Sequence, residues 1–544
     1  MTANRRLSRR QFLRIATLAA VGAVTSSCID PQNINSCPPV SGGDSPEPSS
    51  FYCDFTVFAG EYTPNSARTW GMVETVPREA LAQIAVSWVD LYPTAKVRFV
   101  EQPPLMPLES WITTQAFLDT GPDILTVPLP YLNGLSVLGA VVPINEYLKM
   151  PNPFAPDAAP TWGASFNGSV LGTAGTPGKL GGVPLDRTVT GVYLNLDMLA
   201  RAGIDPAEVE ATGTGALPDW QALIEWCQKL QALDVLPFSM AYSILDGWLM
   251  GILADQFFWP YTEQLDLFNY HDPETSPDQA GTVSQEEIVY QVLVNGWRPF
   301  SEAPMRGYFE LLKAFKPYLP IGAETRSIMR YSWDKFMNQQ LAMLWEGCWL
   351  VRDLAADDLL PFEWGGMWLP PVTRASSPFA PDPAMLPVDV GGYSSAAGIN
   401  IAAVERGHLQ QCIDWLMLTT TPENNSHLVN EVPMLLPSVR GAAIPPEMGK
   451  LLGDRLDAPP GVHAWQPPIY WLGSGGHTTF YDVIQREMGL WLLGERSLEQ
   501  FLATADSELA LQSREVLAAN AVQYHADGSW DLTRWPKQPP PPSF

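Results

Sequence analysis

The chain has 544 residues, a formal net charge of −26 and a pI near 4.5. That charge excludes a nucleic-acid binder working through a broad Lys/Arg face, and it argues against an anionic substrate held by bulk electrostatics. With 46% hydrophobic and 17% charged residues the chain is globular, and its length is too great for one hydrophobic core.

In chain order, Ser8-Arg9-Arg10-Gln11-Phe12-Leu13-Arg14 matches the twin-arginine export pattern S-R-R-x-F-L-K, with Arg14 in place of Lys. The apolar run from Ile15 to Val24 is too short to span a membrane as a helix. Thr25-Ser26-Ser27-Cys28 resembles a lipoprotein cleavage site, with Cys28 as the lipidated residue and Thr25 where Leu is usual. Residues 1–28 therefore read as a signal peptide. The Pro/Gly/Ser/Asn-rich residues 29–53 read as a flexible tether. Cys37 and Cys53 can pair in an oxidising compartment, whereas Cys227, Cys348 and Cys412 sit in apolar runs and read as buried thiols. No C-x-x-C spacing occurs, so neither a zinc site of that kind nor any cofactor is expected.

Phe55–Phe58 reads as the first strand, ending in Ala59-Gly60-Glu61-Tyr62. Leu81, Ile84, Ala85 and Trp88 recur at helical spacing, and Leu91 to Val100 reads as turn then strand. A helix over about 109–118 precedes a strand entered through Gly121-Pro122-Asp123, and a helix and turn cover Leu135 to Leu148. Residues 150–180 are Pro/Gly/Ala-rich and loop-like. From Gly181 to Leu199 an extended segment carries Asp186-Arg187-Thr188 at its centre, then becomes an apolar strand and a helix start. Charged groups in a strand-like run are costly to bury unless they pair or bind something. A crossing between two lobes, lining a cleft, accounts for them.

Asp219 is placed to cap a helix running through Leu233. A loop into a buried helix follows at 241–258, then a polar insertion at 259–283 and an amphipathic helix at 302–318. Residues 365–390 read as irregular, a helix is expected around 407–418, and a terminal helix starts at Phe480. Residues 516–544 read as a tail, with four consecutive prolines near its end. His408 and His427 read as surface residues. Helix–strand alternation of this kind specifies an α/β fold with a parallel-rich sheet, in which ligands sit at the carboxyl ends of strands. Gly60-Glu61-Tyr62 and Val127–Tyr131 are two such ends.

Several stretches carry a resemblance in a fixed order: Tyr92-Pro93 followed by Lys96-Val97, Gly121-Pro122-Asp123-Ile124, Leu194-Asn195 with Asp197, and Phe336 to Trp349 with Gln339 at a usual Gly. Thr421-Pro422-Glu423, Val432–Pro437 and the segment from Phe480 to Leu498 complete the series. The chain resembles the extracellular solute-binding proteins of family 1, the maltose-binding-protein type. The resemblance implies a two-lobed periplasmic-binding fold of type II with three inter-lobe crossovers. Residues 54–186 plus 347–392 would form one lobe, and 187–346 plus 393–515 the other.

The resemblance also implies a substrate-binding component of an ABC importer. It would close by hinge motion on a small carbohydrate, dock on separate permease subunits, touch the membrane only through its lipid anchor and act as a monomer without enzymatic activity. Carried over position by position, the ligand contacts fall on Tyr131, on Asp186, Arg187 and Thr188, and on Ser243, Leu245 and Asp246 beside Trp248. They continue on Trp345, Glu346 and Trp349, and on Tyr481 or its neighbour Phe480. Glu61 and Tyr393 join them from the first strand end and the expected third crossover. The family's Asp-Arg pair on the first-lobe loop is replaced by Leu129-Pro130-Tyr131, which leaves the ligand open.

Indole and phenol rings beside carboxylates suit a pyranose, whose C–H face packs on aromatics while its hydroxyls take hydrogen bonds. Two other classes fit the same residues: a lipid-anchored sensor that signals without transport, and a carbohydrate-active enzyme with two carboxylates in an aromatic cleft. No G-x-S-x-G, H-E-x-x-H or phosphate-loop motif is present.

Overall fold

The computed structural model describes residues 53–64, 78–103, 106–167, 180–240, 247–258, 265, 283–323, 329–356, 360–384, 394–431, 435–452, 469, 472, 479–523, 530 and 531. The signal peptide, Cys28 and Cys37 lie outside them, as do Ser243, Leu245, Asp246 and Tyr393.

Eleven strands are described: β1 (Phe55–Phe58), β2 (Val97–Phe99), β3 (Ile124–Val127), β4 (Val183–Pro184), β5 (Asp186–Arg187), β6 (Thr190–Asn195), β7 (Leu236–Met240), β8 (Leu341–Gly347), β9 (Trp364–Met367), β10 (Ala396–Ile399) and β11 (Leu436–Pro437). The first sheet has the order β2-β1-β3-β10-β4, with β1 parallel to both neighbours and β10 antiparallel to β3 and β4. The second has the order β7-β8-β6-β9, parallel only between β7 and β8. Between them β5 and β11 form a two-stranded antiparallel ladder. The apolar runs Ile-Leu-Thr-Val in β3 and Leu-Ala-Met-Leu-Trp in β8 are buried throughout, as strands covered on both faces must be.

Helices cover the sheets: α1 (Ala80–Leu91), α2 (Leu108–Phe117), α3 (Leu129–Val137), α4 (Trp220–Gln231), α5 (Gly247–Phe258), α6 (Ala303–Phe315), α7 (Met329–Met337), α8 (Leu350–Ala356), α9 (Leu409–Thr419), α10 (Pro422–Asn430), α11 (Met448–Leu452), α12 (Thr479–Leu492) and α13 (Leu498–Gln523). In the first lobe Phe55, Trp88 and Trp415 pack edge to face, with centroids 5.7–5.8 Å apart. In the second, Phe315 packs edge-on to both Trp220 and Phe238. Asp219 caps α4 as expected, accepting from the Ala222 amide at 2.9 Å. Cys227, Cys348 and Cys412 are buried free thiols, and Cys53 is disulfide-bonded.

The expected lobe boundaries need correction. Sheet pairing keeps the chain in the second lobe after β8, because β9 pairs with β6. The chain returns to the first lobe before β10, which pairs with β3, so 396–430 belongs with the first core rather than the second. It leaves again after β11, and α11 packs against β6 and β9. Thus Gly347 is not a crossover; among the described residues the chain changes lobe at 185–189, has changed again by β10, and does so once more after 437. The sequence of β9, Trp-Gly-Gly-Met, carries no alternation that would mark it as a strand.

The tail also begins later than 516. α13 runs to Gln523, and Leu502, Ala505, Leu509 and Val516 continue the buried face of the second core. His408 is buried rather than exposed. Its Nδ1 lies 2.9 Å from Asp123, which also binds Arg406 and accepts from the Thr56 amide and hydroxyl at 2.8 Å. That cluster ties β1 and β3 to the turn after β10.

Gly181 leads into the first crossing, and a Cβ there would lie 2.2 Å from the Leu132 carbonyl oxygen. Backbone cannot yield as a side chain can. Gly181→Ala is expected to cost about 2–3 kcal/mol and to lower the melting temperature by several degrees in a thermal scan. An unchanged melting point would contradict the close approach of this segment to α3.

Candidate functional site

The three connections between the sheets meet at Asp186. This carboxylate is fully buried, accepts from the Tyr62 hydroxyl at 2.6 Å on one oxygen and takes the Ser395 amide at 2.9 Å on the other. Its backbone pairs with Pro437, and Arg187 pairs with Leu436. Tyr62 ends the short turn after β1, and Ser395 precedes β10. Burial pushes the Asp186 carboxyl up to about 6, against the pull of those hydrogen bonds. Burial, then the neighbouring Asp186, raises the Tyr62 phenol well above its ordinary range, so Tyr62 remains a donor.

The second sheet presents the carboxyl end of β8 to the same point. The Cys348 amide donates to the Val189 carbonyl at 2.9 Å, and Thr190 is paired with Gly347. Tyr193 donates its hydroxyl to the Gly347 carbonyl at 2.8 Å. Glu346 is buried and accepts from Trp333 Nε1 at 2.7 Å and from the Gly347 amide at 2.8 Å. The Trp349 side chain also bonds it. Burial pushes the Glu346 carboxyl up to about 7. The Trp349 indole lies over Gly347, where a Cβ would come within 2.2 Å of the ring. Only glycine leaves room for the ring to lie there.

The expected site residues divide accordingly. Asp186, Arg187 and Thr188 lie on the first crossing, with Arg187 and Thr188 half-buried. Glu61 is half-buried at the end of β1, and Trp349 is half-buried beyond β8. Trp345 is not with them. Its side chain is 2% exposed and packs in the second core with Met343 and Phe238, on the other side of β8 from Glu346. Neighbouring residues of a strand point to opposite faces, so Trp345 and Glu346 cannot both face a cleft. Tyr131 lies on α3, with its hydroxyl bonded to Thr113 on α2. On α12, Phe480 is fully buried while Tyr481 is half-buried and bonded to Gln485. Trp248 falls on α5, and its side chain is outside the described residues.

Three residues at this point are not among the ligand contacts expected from the sequence, although Tyr62 closes the strand end Gly60-Glu61-Tyr62. Tyr62 follows Glu61 directly and is the partner of Asp186. Arg78 precedes α1 and is 2% exposed. Arg352 on α8 pairs with Asp353 at 2.7 Å, each side chain 11% exposed. Spacing gives no signal for Arg78, because no periodic element surrounds it. Among the described residues no cluster of His, Cys, Asp and Glu is arranged to hold a metal ion, and no helix is long and apolar enough to cross a membrane.

The sequence matches the family model of the bacterial extracellular solute-binding proteins over residues 79–389, more than half of the chain. No curated protein matches it significantly. Solved structures similar to it include the sugar-binding protein MalE from the phytopathogen Xanthomonas citri, with a TM-score of 0.54 and 17% identity over 87% of this chain and 99% of that one. A chitin oligosaccharide binding protein gives a TM-score of 0.53 and 16% identity over 85% and 99%. The cyclic alpha-maltosyl-1,6-maltose binding protein from Arthrobacter globiformis gives 0.52 and 16% over 85% and 100%. At these identities the likeness is one of fold: two α/β lobes.

Glu346 has a raised folded-state pKa, so the folded protein holds its proton more tightly than the unfolded chain does. Its contribution to stability is present in full below about pH 4.5 and is lost as pH rises through about 7. Asp186 acts in the same direction at lower pH. Glu346→Gln keeps an acceptor for Trp333 and removes the charge. Its melting temperature relative to wild type is expected to rise between pH 5 and pH 8, by an amount equivalent to up to about 3 kcal/mol. A difference that stays flat across that range would mean that Glu346 titrates normally.

Proposed function

Because the chain belongs to the bacterial extracellular solute-binding protein family, we propose that it captures a carbohydrate, a mono- or oligosaccharide, between its lobes and delivers it to an ABC permease. The observation that carries this reading is the convergence of two strand ends on the first crossing. β1 brings Glu61 and Tyr62 to Asp186 at one end of that crossing, and β8 brings Glu346 and Trp349 to its other end, where Cys348 donates to Val189. The set supplies an indole for a sugar face, with acids and a phenol for its rim. The three neighbours named above are described as binding saccharides, which agrees with that chemistry.

Ligand held by both lobes would favour the closed arrangement and shift the population toward it. Export by the twin-arginine route, with lipid on Cys28, would keep the lobes outside the cell membrane beside the permease, as a monomer. Arg187, Glu61 and Trp349, which are half-buried, are the proposed ligand contacts, with Asp186 as the buried support of the crossing; the resemblance adds Tyr481, Trp248, Ser243, Asp246 and Tyr393, the last three outside the described residues. The family is one of binding proteins, which supports capture over catalysis.

A thermal-shift screen against sugars, oligosaccharides and polyols tests the reading, since a ligand of the native state raises the melting temperature. For any sugar that does so, Trp349→Ala is expected to weaken binding about tenfold or more, and Trp349→Phe to retain most of it. A large fall in the melting point of unliganded Trp349→Ala, with binding kept, would make the ring a core residue. Release of a product from an oligosaccharide would make the protein an enzyme.

A further inference from the structure

Arg78 is a buried cation whose hydrogen-bonding capacity is not filled by the chain. Its side chain is 2% exposed, and Nε and Nη1 are buried with no hydrogen-bond partner. A guanidinium is rarely fully buried unless paired, and an unpaired one costs several kcal/mol. The groups within electrostatic reach are Tyr62, Glu431, Glu61 and Arg352. Tyr62 gives its hydroxyl to Asp186. Glu431 accepts the Glu79 and Ala80 amides at the start of α1. Arg352 is a second cation, contributed by α8 after the end of β8 and paired with Asp353. Glu61 and Glu431 are within electrostatic reach of Arg78, as is Arg352, but neither carboxylate hydrogen-bonds it, and Nε and Nη1 are left without partners.

We propose that Arg78 receives a carboxylate of the ligand, so that the saccharide bound here is an acidic one, a uronic acid or an oligosaccharide containing it. The proposal rests on the reading of the gap between the lobes as the ligand site. A guanidinium offers planar, charged donors that match a carboxylate, and a desolvated pair is worth far more than a surface one. An anion beside Arg78 and within reach of Arg352 also relieves the repulsion between them. The chain's overall charge of −26 gives such a ligand no long-range attraction. Selection would therefore come from this buried group and not from the surface field.

The test titrates the full chain with trigalacturonate, its fully methyl-esterified form, a glucuronate-substituted xylotriose, citrate, and the neutral maltotriose and chitotriose. At least one acidic saccharide is expected to bind, and masking the carboxylate or changing Arg78→Gln to weaken it about a hundredfold. Arg78→Lys recovers part of that loss, because it restores the charge without the fork. Unliganded Arg78→Met is expected to melt at or above wild type, since an unpaired buried charge is gone.

Neutral trisaccharides or the ester binding as tightly as the acids, or Arg78→Gln binding them unchanged, would overturn the proposal and leave carbohydrate capture standing. Citrate binding in place of every saccharide would assign Arg78 to a non-sugar anion. A drop of several degrees in unliganded Arg78→Met would assign the guanidinium to the fold. No saccharide of either kind binding would remove the proposed function as well.

Discussion

A carboxylate with no access to water has to be satisfied by its own chain, and Asp186 is satisfied by residues far apart in sequence. The hydroxyl of Tyr62, the amide of Ser395 and the ladder to Pro437 reach it from three separate segments. Asp186 lies on the first passage between the two sheets, Ser395 and Pro437 border the other two, and Tyr62 anchors them to the end of β1. A buried acceptor that loses a donor costs about 1–3 kcal/mol, so the three passages cannot drift apart independently. The crossing is therefore a fixed point about which the lobes are arranged, although only four short strands contribute to it. The first sheet reaches it through β1 and β10, and the small ladder through β5 and β11.

The second sheet is tied to that point more tightly than by packing alone. Cys348 donates its amide to Val189, and Glu346 gathers Trp333, Gly347 and Trp349 around one carboxylate. Trp349 lies over a glycine because any side chain at Gly347 would occupy the ring's place. The indole is thus oriented by a hydrogen bond on its edge and by bare backbone beneath its face. A ring held in this way loses little freedom when it takes on a partner, which is the property wanted of a binding platform.

Much of this was readable from the sequence where one local signal was enough. The apolar runs of β1, β3 and β6, the Asp219 cap and the charged break at Asp186–Thr188 each pointed to the element found. Resemblance placed Glu346 and Trp349 at the end of β8, but it also drew in Trp345, and only the alternation of a strand separates the two. The return of the chain to the first lobe was misplaced, because Trp-Gly-Gly-Met in β9 has no strand pattern while the Pro-rich stretch around it looks like a linker. His408 reads as a surface residue until Asp123 is known to be beside it, a partner 285 positions away. Tyr62 and Arg78 were missed for a related reason: their significance depends on what folding brings to them, on Asp186 for one and on Arg352 for the other.

The lobe boundary concentrates groups whose charge burial opposes. Asp186 and Glu346 are pushed toward the neutral form, Tyr62 is kept protonated, and burial lowers the pKa of Arg78. Burial of that kind is expensive, and hydrophobic residues of similar size would stabilise the fold better. A chain whose only requirement was to keep two lobes together would have little reason to hold these groups between them. Polar groups kept dry and incompletely matched are useful when another molecule completes the match, because the gain then appears only on binding. The same expense that lowers the stability of the fold would sharpen the choice of what binds there.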